Sequence, residues 1–367
     1  MELSFHREAM TDALQRIVGA AEKRLTMPIL GNVRMRPDDN GSIRMDTTDL
    51  ELAWQAAAQG VIPSECDVTV SVRKLLDVVK AAPADSQIRA TVDGERMTVG
   101  FGGSRFSLAT LPGADFPDWE AGSSTGVLDV PQNRLRRLLE ATMFSMAQQD
   151  VRYYLQGLLL VANANILRAV ATDGHRLALA EVELDRPVET RMEKIIPRKA
   201  VAELRRNLSD DETPVRLGFG EDQVLFELGD AVLRSKVIEG RFPDYERVIP
   251  ADLPATLQVD RELLKQALAR VAIVASDKYR GVRMLLGDQG CQVMTHNADR
   301  EEAQEAVAAR YDGPEMEIGF NLGYLVDVLN VIETDEVRIG LRDGNSSILI
   351  QAEPPGGSRY VVMPMRL

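Results

Sequence analysis

The stretch ATLQVDRELLKQALARVAIVASDKYR, Ala255–Arg280, decides the fold. It opens with alternating apolar residues and then changes period: Leu263, Leu264, Ala267, Leu268, Val271 and Val274 recur at helical spacing. Asp260 stands where an N-cap belongs. The same plan, an extended segment running into an amphipathic helix, occurs twice more. It is seen in LSFHREAMTDALQRIVGAAEKR, Leu3–Arg24, and in GVLDVPQNRLRRLLEATMFSM, Gly126–Met146. A pattern met three times in one chain is an internal repeat.

The repeat extends past its first helix. A strand follows in each copy (PILGNVRM, YLQGLLLV, YRGVRMLL), then an acidic or amide corner (TTDLELA, ATDGHRLALA, THNADREEA). A second helix comes next (SVRKLLDVVKAAP, IPRKAVAELRRNL, NLGYLVDVLNVI), and hairpins close the copy. Asp93-Gly94, Gly102-Gly103, Gly229-Asp230, Asp343-Gly344 and Gly356-Gly357 read as turns. The corner residues Asp49, Asp173 and Asn297 set the period. The connectors ADFPDWEAGSSTG and RFPDYERVIPADLP carry the Pro, Gly and charge of boundaries. The expected fold is α+β: three tandem domains, at 1–125, 126–252 and 253–367, each with two helices against antiparallel sheet.

Several function classes fall away. Cys66 and Cys291 stand far apart with no CxxC, and the chain has only three histidines. A disulfide framework and a His-rich metal site are therefore not expected. No GxxxxGK[ST] or GxGxxG occurs, and no cofactor is implied. There is no long apolar run and no apolar leader, so a cytoplasmic protein without membrane contact is expected. The group Asp173, His175 and Arg176 invites an acid–base reading. The repeat weakens it, because only the corner recurs, and an Asp or Asn there can set a turn. His175, Arg176 and Leu177 are what the second copy adds.

The net charge is −13, which taken alone speaks against nucleic acid. Its distribution says otherwise. The six expected helices, 6–24, 73–80, 133–147, 198–206, 260–280 and 321–332, hold nineteen Lys/Arg against ten Asp/Glu, a net of +9. The rest of the chain is left with −22. A shared helical surface would attract a polyanion, although basic residues also suit exposed helix faces generally. A domain of this length has a diameter of roughly 35 Å, so six in a ring leave a hole of roughly 35 Å, whereas three leave about 5 Å. Duplex DNA needs more than roughly 17 Å. One chain could not encircle it; two could.

MPILGNV, VRYYLQGLLL, ATDGHRLALA, EGRFPDYERVIP and SRYVVMPMRL together resemble the bacterial DNA polymerase III beta subunits, the replicative sliding clamps. The resemblance covers the chain. It implies a non-catalytic, head-to-tail homodimeric ring that slides on double-stranded DNA and is opened by a clamp-loader ATPase. Implied partners are the polymerase III alpha subunit, the clamp-loader delta subunit, other DNA polymerases, and mismatch-repair and ligase proteins. It maps DNA contacts onto Arg24, Arg73, Gln149, Tyr153 and Tyr154. It maps a partner-peptide groove onto Leu155, Thr172, Gly174, His175, Arg176, Leu177, Pro243, Arg247, Val248, Asn321, Tyr324, Val361, Val362, Met363, Pro364, Met365 and Arg366. A dimer contact would join Phe106 and Leu108 to Ile273 and Val274, with Lys74, Arg96 and Arg105 facing Glu301 and Glu302. Core packing remains an equal reading of Phe106 and Leu108. A protein-binding repeat scaffold without DNA, or an enzyme built on Asp173 and His175, remain as alternatives.

Overall fold

The computed structural model describes residues 1–22, 27–119, 122, 124–275 and 280–366. The first copy runs β1 (Glu2–His6), α1 (Arg7–Ile17), β2 (Asn32–Pro37), β3 (Ile43–Thr48), β4 (Leu52–Ala58), β5 (Gly60–Val61), β6 (Val68–Ser71), α2 (Val72–Ala81), β7 (Gln87–Asp93), β8 (Arg96–Phe101) and β9 (Ser104–Pro112). The second runs β10 (Gly126–Pro131), α3 (Gln132–Glu140), β11 (Gly157–Thr172), β12 (Arg176–Pro197), α4 (Arg198–Asn207), β13 (Pro214–Phe219), β14 (Gln223–Leu228) and β15 (Ala231–Lys236). The third runs β16 (Ala255–Asp260), α5 (Arg261–Val271), β17 (Gly281–Gly287), β18 (Gly290–His296), β19 (Glu302–Val307), β20 (Ala309–Asp312), β21 (Met316–Asn321), α6 (Leu322–Val331), β22 (Glu336–Leu341), β23 (Ile348–Glu353) and β24 (Ser358–Val362).

Strand register confirms the repeat. Thr48 pairs with Ala53 beside the first corner, and Thr172 pairs with Leu177 beside the second, both members moving by 124. In the third copy His296 pairs with Glu302, so that corner is one residue wider. Each corner residue accepts two backbone N–H groups. Asp49 takes those of Glu51 and Leu52, Asp173 those of His175 and Arg176, and Asn297 those of Asp299 and Glu301, all at 2.8–3.0 Å. The corner is a turn held by its own side chain.

Asp260 does cap α5, accepting from the Leu263 N–H at 2.8 Å. Three expectations need correction. Leu263 is exposed rather than part of the apolar face, which is Leu264, Ala267, Leu268 and Val271. The expected helices also overran. The first ends at Ile17 and the fifth at Val271, after which hydrogen-bonded turns carry the chain while Ala20 and Ala21 stay buried. Apolar spacing continued where the helix did not. The first hairpin turn falls on Gly94-Glu95, since Asp93 pairs with Arg96.

The chain forms two compact units. One comprises Met1–Asn133 with Lys199–Val237; the other comprises Arg134–Arg198 with Ile238–Leu367. The first unit holds a 13-stranded sheet in which β15 of the second copy pairs with β4 of the first. The second unit holds a 7-stranded sheet in which β24 of the third copy pairs with β12 of the second, and a 4-stranded sheet β19-β18-β17-β21. The second unit has an aliphatic core of Leu, Val and Ile from α5, α6 and strands β16–β24. The connectors are pinned: Phe116, Phe242 and Tyr245 are buried, so their composition marks boundaries but not freedom.

Candidate functional site

The groove residues all lie in the second unit, where β12 and β24 run side by side. Leu177 pairs with Val361 in register, and both enter an apolar cluster with Leu179, Phe242 and Tyr245. Tyr154 and Val248 pack on that cluster while remaining partly exposed. Leu155 and Val362 are buried, so they support the floor rather than present a surface. Past Val362 the chain leaves the sheet but stays tied: the Met363 N–H donates to the His175 carbonyl at 2.9 Å, and the Met365 N–H to the Gly319 carbonyl at 2.8 Å. Met363 is 37% exposed, and Arg366 is also exposed. The apolar C-terminal segment is therefore a docked edge.

The other wall is polar. Arg176 donates to Asp173 at 3.1 Å, to Asp327 at 2.5 Å and to the Phe144 carbonyl at 2.9 Å. Its guanidinium also stacks over the rings of Phe144 and Tyr324, at 5.2 and 4.5 Å. His175 lies over Tyr324 with centroids 6.4 Å apart and the rings nearly parallel. Burial, then the Asp173 charge, pushes the Tyr324 hydroxyl above its ordinary value. Asn321 caps α6 by accepting from the Gly323 N–H at 2.9 Å. Thr172 accepts from the Gly174 N–H at 3.1 Å. Pro243 and Arg247 are exposed, Arg247 paired with Asp244 at 2.8 Å.

Asp173 has no carboxylate oxygen left for chemistry: one binds two backbone N–H groups and the other binds Arg176. Among the described residues no group of three His, Cys, Asp or Glu could hold a metal.

Three contributors were missed by sequence reasoning. Arg152 is clamped on Asp150 by two guanidinium contacts at 3.0 and 2.8 Å, which hold the Asp150 carboxyl down to about 2. Gly174 (φ +89) is the point of close approach, since a Cβ there would lie 2.8 Å from an Arg152 nitrogen. Phe144 and Asp327 are the others. Asp327 was findable: Asp77, Glu203 and Asp327 occupy the same position of the second helix in each copy.

The expected DNA residues are divided. Arg73 lies in the first unit and donates to the Ala21 carbonyl at 3.3 Å. Gln149, Tyr153 and Tyr154 lie in the second. Gln149 is exposed, Tyr153 is 56% exposed, and the two tyrosines meet edge-on at 6.0 Å. Arg24 falls outside the described residues.

Three family models tile the chain: the N-terminal (1–120), central (129–244) and C-terminal (246–366) domains of the DNA polymerase III beta subunit. The chain belongs to the DNA polymerase III beta subunit family. It is 43% identical to the beta sliding clamp of Pseudomonas putida and 42% to that of Escherichia coli K12, covering all of each. A solved DnaN sliding clamp of Pseudomonas aeruginosa bound to griselimycin matches over the full length of both chains with TM-score 0.95 and 41% identity. A Caulobacter crescentus beta sliding clamp matches with TM-score 0.94 and 34% identity, covering all of this chain and 99% of the other. The chain is thus three clamp domains with the function of a DNA sliding clamp, a processivity factor that binds its polymerase and performs no chemistry itself.

Proposed function

We infer that two copies close a head-to-tail ring on duplex DNA through β9 of one and β19 of the other. One observation carries this reading. The chain uses the same strand joint twice, Leu52–Trp54 against Ser235–Leu233, and Arg176–Ala178 against Val362–Tyr360. The joint needs the last hairpin strand of one copy and the strand after the corner of another. β9 and β19 are the members left over. Residues 104–109 of β9 pair with β8 alone, and β19 pairs with β18 alone. Open edges call for a cover.

The repeat also supplies a register. Phe106 and Leu108 take the places of Leu233 and Ser235, and of Tyr360 and Val362, by their distance from the preceding turn. Those four are 0–1% exposed, whereas Phe106 and Leu108 remain partly exposed. Laid on β19, Phe106 faces Ala303, Leu108 faces Glu301 and Ser104 faces Glu305. Arg96, Arg105 and Lys74 lie exposed on the first unit, and Glu301 and Glu302 on the second, as an ion-paired rim requires.

The finer roles follow the family resemblance. Domain limits at 1–125, 126–252 and 253–367 agree with turns and connectors. Arg73, Gln149 and Tyr153 suit phosphate and strand contact. The groove suits an extended peptide with apolar side chains, its Met and aliphatic floor adapting to each. Its users would be the polymerase alpha subunit, the clamp-loader delta subunit, other polymerases, and repair and ligase proteins. A cytoplasmic location fits, and no described helix is long and apolar enough to cross a membrane.

The test has two parts. Light scattering should give twice the chain mass, and a monomer at micromolar concentration would end the ring reading. Once loaded on nicked circular DNA, the protein should leave when the circle is cut; retention would mean ordinary surface binding.

A further inference from the structure

The first unit contains a cavity of about 350 Å³ beside the β15–β4 joint, and Arg73 is not among its lining residues. Its floor is built by cross-strand neighbours. Arg34 lies opposite Asp46, Arg36 opposite Arg44, Asp46 opposite Gln55, and Ala53 opposite Arg234. Strand alternation brings these side chains to one sheet face. The connector segment Phe116, Pro117, Asp118 and Trp119 forms the wall, held by an Asp118 contact to Arg34 at 2.8 Å and by the Trp119 indole N–H on Gln223 at 3.0 Å.

The charges do not balance. Arg34 is satisfied by Asp67 and Asp118. The other three guanidiniums share one carboxylate and one amide. Arg36 and Arg44 both reach Asp46, at 3.2 and 3.3 Å, while Arg44 and Arg234 both reach the Gln55 oxygen, at 2.8 and 3.4 Å. Arg234 has no carboxylate at ion-pair distance among the described residues, and the buried Arg36 Nε has no acceptor. Burial, then the neighbouring Arg44, makes Arg234 harder to keep charged. Asp46 and Glu227 offset this charge only in part; incompletely compensated, partly buried positive charge is costly, and an anion would relieve it.

We propose that this cavity binds a nucleotide-class ligand, its phosphate on Arg36, Arg44 and Arg234 and its planar base against Trp119. Guanidinium forks match phosphate oxygens bidentately. Trp119, half-buried in the wall, supplies an aromatic ring there, while Phe116 is buried against Ile29 and Leu30 and backs the wall. The cavity has the size of a small-molecule site. The proposal is independent of ring closure and of the groove.

The protein carries its own reporter: of its two tryptophans, Trp119 stands in the cavity wall, while Trp54 is buried on the opposite face of β4. Adenosine monophosphate, inorganic phosphate and adenosine are titrated in turn against full-length protein. Tryptophan fluorescence should change saturably with the monophosphate; inorganic phosphate should compete more weakly, and adenosine should do nothing. Arg234→Gln should weaken the monophosphate roughly tenfold or more, and Arg234→Lys should restore part of the loss. Trp119→Phe, followed by calorimetry, should weaken the monophosphate and leave inorganic phosphate unchanged. Melting curves show which variants remain folded. No saturable change with millimolar monophosphate overturns the proposal. So does unaltered affinity in folded Arg234→Gln, or a response to an acidic peptide but not to the monophosphate.

Discussion

Ile273 offers the sharpest test of ring closure. It lies in the turn after α5, which packs on the open strand β19, and it is 83% exposed. Ile→Ala removes three carbons, each contributing about 0.8 kcal/mol on burial. Scaled by the exposed fraction, Ile273→Ala should forfeit about 2 kcal/mol per interface. A closed two-fold ring breaks two interfaces when it dissociates, so the loss doubles to about 4 kcal/mol, or roughly a thousandfold in the dimer constant. Sedimentation across a concentration series measures that constant. The isolated chain should lose little, since a side chain so exposed has few contacts to surrender, and thermal melting under monomeric conditions checks this. A dimer constant within about tenfold of the parent would place Ile273 outside the contact. A large drop in monomer melting would show that it supports the fold.

Other consequences are direct. His175→Ala should leave thermal stability unchanged and weaken groove peptides, because His175 is exposed and contributes only its ring on Tyr324. Arg176→Met should lower stability by about 2–4 kcal/mol, since it strands Asp173 and Asp327, and denaturant titration would detect it. Arg34 holds the Asp67 carboxyl below its ordinary 3.8. The stability from that pair is therefore full above pH 3.8 and lost as pH falls through the lower folded value; Arg34→Met should flatten the acid limb of a stability–pH curve. Burial pushes the Cys291 thiol up to about 12 and raises Cys66, so neither should react with iodoacetamide in native protein at mildly alkaline pH, and both should on unfolding.

Element order was legible because the repeat supplied three samples of each signal. One apolar pattern is ambiguous, but three copies flanking Asp49, Asp173 and Asn297 are not. The polar wall of the expected groove was partly legible for the same reason: no other copy carries the combination His175, Arg176 and Leu177. What stayed hidden depends on partners distant in sequence. Nothing in the alternation of AVLRSK says that Arg234 will pair beside Ala53, some 180 residues earlier. Arg34, Arg36 and Arg44 read as the wet side of a strand until the connector is seen lying over them. Helix ends were overrun because hydrogen-bonded turns carry near-helical apolar spacing past them, with Ala20 and Ala21 buried after Ile17 and Ala272 and Val274 partly buried after Val271.

The three joints also differ in chemistry, and the difference bears on how a clamp opens. The two covalently linked joints bury Trp54 with Leu233, and Ala178 with Tyr360. In the proposed third joint, between chains, Phe106 and Leu108 would lie among Arg96, Arg105, Glu301, Glu302 and Glu305. Each linked joint also carries a charged pair at its edge, Lys236 with Glu51 at 3.1 Å and Arg359 with Glu181 at 4.0 Å, but its centre is bulky and buried; a joint that must part and re-form relies more on its rim. Exposed pairs contribute about 0–1 kcal/mol each and weaken with salt, whereas apolar contact does not. Raising salt from about 0.05 to 0.5 M shortens the screening length severalfold and should weaken the dimer without lowering the melting temperature of the monomer. A dimer constant flat across that range would mean that the rim charges contribute nothing and that Phe106, Leu108 and Ile273 hold the ring by themselves.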